Sequence, residues 1–367
     1  MSKKLENDFI LELCKIKSYS KSKILDLMNG QLDYPYILGQ LLFNRVGGSA
    51  YKILKECSLL AKVNREFRSV LKTIFDASRE KAKSFKSAMS DLSDMLRDVG
   101  ISYALLKGSL LVYMYDDGLR TSNDFDILVN ENDISVIASI LKKNGFKQGH
   151  IRTGEFILAS RFEILSSRMN RGETVPFIKE INLPQMQYCE VDINFSLDFK
   201  AKQETNIVHE FLQNTQPLIK TDNSTLNTLD RSHFLIQLCA HLYKEATVIN
   251  WVVMSRDISL YKYMDIYLFI QEYFDKEFIN QMTFEIHKYG LEKECFYSFH
   301  YTKELFGIKS EYLDQLLKDI KPSDLLFLKQ VIGPAESKIY QYDDNYIDWV
   351  FCSNRRDKLY EVKFESK

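Results

Sequence analysis

The chain has 367 residues, more than one domain usually holds and enough for roughly two or three packed units. Apolar residues make up 45% and charged residues 27%, and the formal net charge is −1, so the overall basic footprint of a nucleic-acid binder is absent. Six scattered cysteines with no C-x-x-C pair point to reduced, buried thiols and away from a zinc knuckle or a disulfide framework. No run approaches the ~18 apolar residues of a membrane span. The early acids of MSKKLENDFILELC exclude a secretory leader, so a cytoplasmic location is expected.

In chain order, residues 1–98 read as helical. Phe9, Ile10, Leu13 and Ile16 mark an amphipathic face, and Ser20 and Ser22 precede Ile24 and Leu25 as a helix start. Tyr36 to Cys57 is broken at Val46-Gly47-Gly48. Arg65 to Leu96 is one long periodic segment, with Arg68, Lys72, Arg79, Glu80, Lys81 and Lys83 forming a solvated face. Asp98-Val99-Gly100 ends it and opens a second region, 99–198. There Tyr103 to Leu106 is a short apolar strand ending in Lys107-Gly108-Ser109, and Leu110 to Tyr115 has helical length. Asp116-Asp117-Gly118 makes a turn, and Phe125 to Val129 alternates as a strand. Asn130 to Asn144 is a helix with Ile134, Ile137, Ile140 and Leu141 on one face and Gly145 as terminator. Phe146 to Arg152 is expected as an edge strand. Phe156 to Met169 and Val175 to Asn182 are expected as strands joined through Arg171-Gly172-Glu173. Leu183-Pro184 then breaks the chain before a strand from Tyr188 to Phe195. From about Phe199 the chain becomes helical again and stays largely so through region 199–367. Its tail contains YQYDDNYIDWVFC, acidic and aromatic, a pattern that points to no particular chemistry. The fold class is α+β: a mixed sheet with helices largely on one face, between N-terminal and C-terminal helical regions.

Asp124 and Asp126, two apart on a strand, point the same way. Neighbouring carboxylates repel, and a divalent cation between them is the usual remedy. A D-x-D tripeptide alone arises by chance about once in a chain this long, so the weight rests on the order: strand, Gly-Ser, helix, Arg120, then D-x-D on a strand. In that order LLKGSLL–GLR–NDFDILV resembles the active-site segment of the polymerase-beta-like nucleotidyltransferase superfamily, which includes the aminoglycoside nucleotidyltransferases. It is similar, more closely, to a bacterial nucleotidyltransferase group with an LLKG(A/S)–(L/R)R–D(I/F)D(L/I)LV pattern.

The resemblance implies a nucleotidyltransferase catalytic domain over 99–198. In it the turn at Gly108 and Ser109 holds phosphates, with Lys107 or Arg120 balancing their charge. It also implies three carboxylates on two Mg²⁺ ions, or Mn²⁺. Asp124 and Asp126 are two of them and Asp192 is the third, with Glu190 on the same face as the fallback. Lys107 pointing outward beside the sheet is an equal alternative. Asn194 stands where the family pattern has His. SHFLIQLCAHLYKE is similar to the family's L-x-x-L-x-x-H-x-x-K helix through His241 and Lys244, and KYMDIYLFI to its D-(I/L)-x-x-(L/F) helix through Asp265. These three are candidate pocket walls, though each alone reads more simply as a packed helix residue. The implied activity is Mg²⁺-dependent transfer of a nucleoside monophosphate from an NTP, ATP by default, to a hydroxyl or similar acceptor. A small molecule or peptide acceptor is favoured over nucleic acid, and no membrane is involved. The alternatives are a catalytically inactive nucleotide- or partner-binding module, and an RNA-directed, toxin-like enzyme. The presence of all three acids argues against the first, and clustered Lys and Arg around the cleft would favour the second.

Overall fold

The computed structural model describes residues 3–197, 207–220, 225–333 and 338–362. By internal contacts the chain divides into two compact units, residues 1–74 with 238–367, and residues 75–237; residues 98 and 198 both fall inside the second.

The first unit opens with α1 (Lys4–Glu12), α2 (Lys21–Met28), α3 (Tyr34–Phe43) and α4 (Gly47–Glu56). The Ser20 hydroxyl accepts from the Lys23 amide and the Asp33 carboxylate from the Tyr36 amide, so two of these starts satisfy amides that a helix leaves unpaired. The long periodic segment forms one helix, α5 (Arg65–Met95), as its spacing requires.

The second unit is organised on a sheet. Its elements are β1 (Tyr103–Leu105), α6 (Gly108–Met114), β2 (Asp124–Val129), α7 (Ile134–Lys143), β3 (Lys147–Arg152), β4 (Glu155–Leu158), α8 (Arg161–Asn170), β5 (Phe177–Leu183), β6 (Met186–Asn194), α9 (Ile207–Gln213), β7 (Thr215–Lys220) and β8 (Thr225–Leu229). Among the described residues the sheet has eight strands, in the order β4-β3-β5-β6-β2-β1-β8-β7. β2 runs parallel to β6 and antiparallel to β1, while β1 is parallel to β8, so the sheet is mixed. Alternation does the sorting. Phe125, Ile127, Val129, Val191 and Ile193 face α5 and α7, which return Phe85, Met89, Leu92, Ile134, Ile137 and Leu141 to the same core. Phe85 stacks on Phe125 with ring centroids 4.2 Å apart. The even-numbered residues of β2 and β6 therefore look the other way.

The remaining elements belong mainly to the first unit: α10 (Arg231–Thr247), α11 (Ile249–Val253), α12 (Leu260–Tyr273), α13 (Lys276–Tyr289), α14 (Glu292–Phe306), α15 (Glu311–Asp319), β9 (Gln330–Ile332), β10 (Ile339–Gln341), α16 (Tyr346–Val350) and β11 (Tyr360–Val362). Here Arg355 donates two hydrogen bonds of 2.7 Å to the fully buried Asp257 carboxylate. Tyr297 and Tyr263 meet on the Tyr346 hydroxyl. All six cysteines are free, and five are buried.

Several expectations are corrected. Phe156 to Met169 is not one strand: β4 ends at Leu158 and α8 follows. The Ser160 hydroxyl accepts from the Glu163 amide while the Glu163 carboxylate accepts from the Ser160 amide, a reciprocal cap that overrides the β-like composition. β3 is not the edge, because β4 pairs outside it. The region beyond 198 is not purely helical: β7 and β8 complete the sheet, and β9, β10 and β11 form a second, three-stranded sheet. The expected return to helix at Phe199 lies outside the described residues. No described helix is long and apolar enough to cross a membrane.

Candidate functional site

The site grows from the β2–β6 register. Asp124 pairs with Glu190 and Asp126 with Asp192 across the parallel ladder, so all four carboxylates share the face opposite α5 and α7. Parallel strands lie ~4.8 Å apart, close enough for each acid to feel the others in a medium poorer than water. Burial, then the Asp126 charge, raise the Asp124 carboxyl above its ordinary range, against the pull of Lys107 and a Ser122 hydrogen bond. Burial followed by Asp124, Asp126 and Glu173 hold Asp192 well above it. Glu190 is raised by burial and then by Asp124.

The turn between β1 and α6 faces these acids. Lys107 has φ 45° and ψ −116°, a conformation side chains rarely adopt, and its ammonium lies 2.8 Å from Asp126 Oδ1. It therefore points into the carboxylates and not outward beside the sheet. Gly108 has no room for a side chain: a Cβ there would lie 2.4 Å from Ser122 Oγ and 2.5 Å from Ser122 Cβ. That close approach lets the Ser122 hydroxyl donate to Asp124 Oδ1 at 2.9 Å. Ser109 is fully buried and its hydroxyl has no hydrogen-bond partner among the described residues, an arrangement that normally signals a ligand or a cost of about 1–3 kcal/mol. Asn194, in the place of the family's His, donates from Nδ2 to Asp126 Oδ1 at 3.2 Å and fixes that carboxylate from the far side. Arg120 turns its guanidinium onto the Thr121 carbonyl.

Sequence reasoning missed Ser122 and Glu173 as participants, and it marked Asn194 only as a departure from the family pattern without its hydrogen bond to Asp126. Ser122 lies two residues before Asp124, but only the Gly108 contact reveals why it matters. Among the described residues no three His, Cys, Asp or Glu side chains are grouped to hold a metal ion as they stand. Lys107, Ser122 and Asn194 hold the acids by hydrogen bonds instead. The donor set nonetheless fits a hard divalent cation: carboxylate oxygens on one face, their repulsion only partly offset, beside an unpartnered hydroxyl.

His241, Lys244 and Asp265 lie in the first unit. His241 Nε2 is 3.1 Å from Glu245 Oε2, which Lys262 also approaches at 2.6 Å; Lys244 is half-buried and Asp265 is buried. A cleft of about 530 Å³ in that unit is lined by others, among them His300, Glu304, Asp324 and Lys329.

A family model described as "uncharacterised nucleotidyltransferase" matches residues 32–307. No curated protein matches. Among solved structures, the chain is similar to an antigenic nucleotidyltransferase-like protein from Paracoccidioides brasiliensis, at 14% identity and a TM-score of 0.32, over 57% of this chain and 91% of that one.

Proposed function

This chain belongs to the uncharacterised nucleotidyltransferase family, and from that premise we propose that it transfers a nucleoside monophosphate from a nucleoside triphosphate to a hydroxyl or similar nucleophile. The observation that carries the reading is the register of Asp124 and Asp126 on β2 with Asp192 on β6, beside the turn at Gly108 and Ser109.

In the reaction an acceptor oxygen bonds to the α-phosphorus, the bridge to the β-phosphate breaks and pyrophosphate leaves. Asp124, Asp126 and Asp192 would hold Mg²⁺ or Mn²⁺, which when bound neutralises phosphate charge and activates the attacking oxygen. The chain's own side chains do the rest. Gly108 lets the backbone come close to phosphate, and the buried Ser109 hydroxyl donates to a phosphate oxygen, which gives that orphaned group its partner. The Lys107 ammonium and the Arg120 guanidinium offset the triphosphate's charge. Asp192, whose proton affinity is raised by burial and neighbouring acids, accepts the proton of the acceptor hydroxyl. The presence of all three acids argues against a catalytically silent binding module.

Mn²⁺ binding followed by electron paramagnetic resonance tests the ligand set without needing an acceptor. Wild type is expected to bind, and Asp124→Asn and Asp192→Asn to bind more weakly by about tenfold or more. Equal binding by all three proteins would overturn the assignment.

A further inference from the structure

We propose that the exposed face of α8 is a docking surface for an acidic, amphipathic polypeptide segment. Phe162, Leu165 and Met169 are 78%, 50% and 74% exposed, far more than large apolar side chains usually are. Their spacing of three and four puts them in one line along the helix. Leu158, at the end of the preceding edge strand β4, is 67% exposed. A short, well-capped helix has no need of three such side chains in water.

The charges say what kind of partner fits. Arg161 and Arg168, seven apart, run along one edge of the apolar line; both are exposed, and neither has an ion-pair partner among the described residues. The acid of the first turn, Glu163, is turned back onto Ser160 by the cap. An apolar ridge with one guanidinium-lined edge matches a segment that presents apolar side chains at helical spacing and carboxylates beside them. A second copy of this chain fits poorly, because antiparallel two-fold pairing of α8 sets the arginine edge of one helix against that of the other. Single-stranded nucleic acid needs several stacking rings, and this face has one, Phe162.

The opposite, buried side of α8 is tied to the sheet. The Ser167 hydroxyl on α8 donates to the Glu173 carbonyl at 3.0 Å, Glu173 forms a β-bridge with Asn194, and Asn194 donates to Asp126. Ser167 is buried and sits roughly opposite the Phe162–Leu165–Met169 line, so the ridge faces away from these contacts and leaves them undisturbed. Docking on this face does not rest on the nucleotidyl-transfer reading.

The test uses a fluorescein-labelled helical peptide of Leu and Glu, apolar at helical spacing, titrated by anisotropy against the full chain. Phe162→Glu/Met169→Glu and Arg161→Glu/Arg168→Glu remove the ridge and the edge in turn, and circular dichroism checks that each folds. Wild type is expected to bind the peptide, each double variant to lose about tenfold or more, and a Lys-for-Glu peptide not to bind. Both variants should keep wild-type Mn²⁺ binding, so loss of docking and failure of the metal site are read separately. The proposal is overturned if the Glu peptide does not bind wild type or if binding survives both variants. It is equally overturned if an oligouridine, phosphatidylserine-containing vesicles or self-association seen by sedimentation is what those variants abolish.

Discussion

Lys107 holds a backbone conformation, φ 45° and ψ −116°, that glycine adopts freely and lysine does not, and from it reaches Asp126 Oδ1 at 2.8 Å. Two substitutions separate what the side chain contributes from what the backbone costs. Lys107→Ala keeps the strain and removes the ammonium from carboxylates that already repel one another. With Lys107 19% and Asp126 6% exposed, this loss belongs at the low end of the range for breaking a buried pair, about 3 kcal/mol. Lys107→Gly loses the same contact but relieves about 1–3 kcal/mol of backbone strain, less about 1 kcal/mol for the greater freedom of glycine when unfolded. Glycine should therefore be more stable than alanine by about 1 kcal/mol, the reverse of their order at an ordinary helix or strand position. Both tryptophans, Trp251 and Trp349, lie in the first unit, so their fluorescence is the wrong probe. Hydrogen exchange of peptides spanning β1 and β2 at pH 7 reads the right region. Alanine as stable as glycine, or alanine indistinguishable from wild type, would refute the reasoning.

Three further outcomes follow from the same geometry. Gly108→Ala should cost about 1–3 kcal/mol by driving a methyl into Ser122, and Ser122→Gly in the same chain should recover most of it; additivity of the two in chemical denaturation would contradict the contact. Asp192→Asn should be more stable than wild type at pH 7. The folded-state pKa of Asp192 is raised, so the native protein binds the proton more tightly than the unfolded chain and loses stability as pH climbs from the ordinary carboxylate range through the raised value. The advantage of the Asn variant should therefore shrink as pH falls toward 4, and an advantage independent of pH would count against the carboxylate cluster. Arg355→Met should destabilise the first unit by about 3–5 kcal/mol, because it strands the buried Asp257 charge, and a change under 1 kcal/mol in tryptophan-monitored unfolding would mean the pair contributes little.

Much of this arrangement is legible in the sequence where local pattern and local chemistry agree. The period of Arg65 to Leu96 gives α5, the alternation around Asp124 gives β2, and all but the last residue of Tyr188 to Phe195 lies on β6, whose Asp192 is in register with Asp126. The pairing itself spans more than sixty residues, so it came from a family resemblance and not from local spacing. α8 was hidden because Phe, Ile and Leu between 156 and 165 suit a strand as well as a helix, although Ser160 and Glu163 carried the capping signal. β8 has two partners: β7, just before it in the chain, and β1, more than a hundred residues earlier where no window reaches; the polar residues of TQPLIK and TLNTL blur the alternation that would have marked the local hairpin. The strain at Lys107 and the packing of Ser122 under Gly108 are properties of backbone geometry, and a one-dimensional pattern does not encode them.

The central claim is that Asp124, Asp126 and the turn at Gly108 and Ser109 form a metal-dependent nucleotide site. Calorimetric titration of a nucleoside triphosphate in the presence of Mg²⁺, on wild type and on Asp124→Ala/Asp126→Ala, tests it most directly. The account predicts binding to wild type that disappears when Mg²⁺ is chelated and is lost in the double variant. Absence of binding to wild type with either Mg²⁺ or Mn²⁺, or binding undiminished in the double variant, would contradict it.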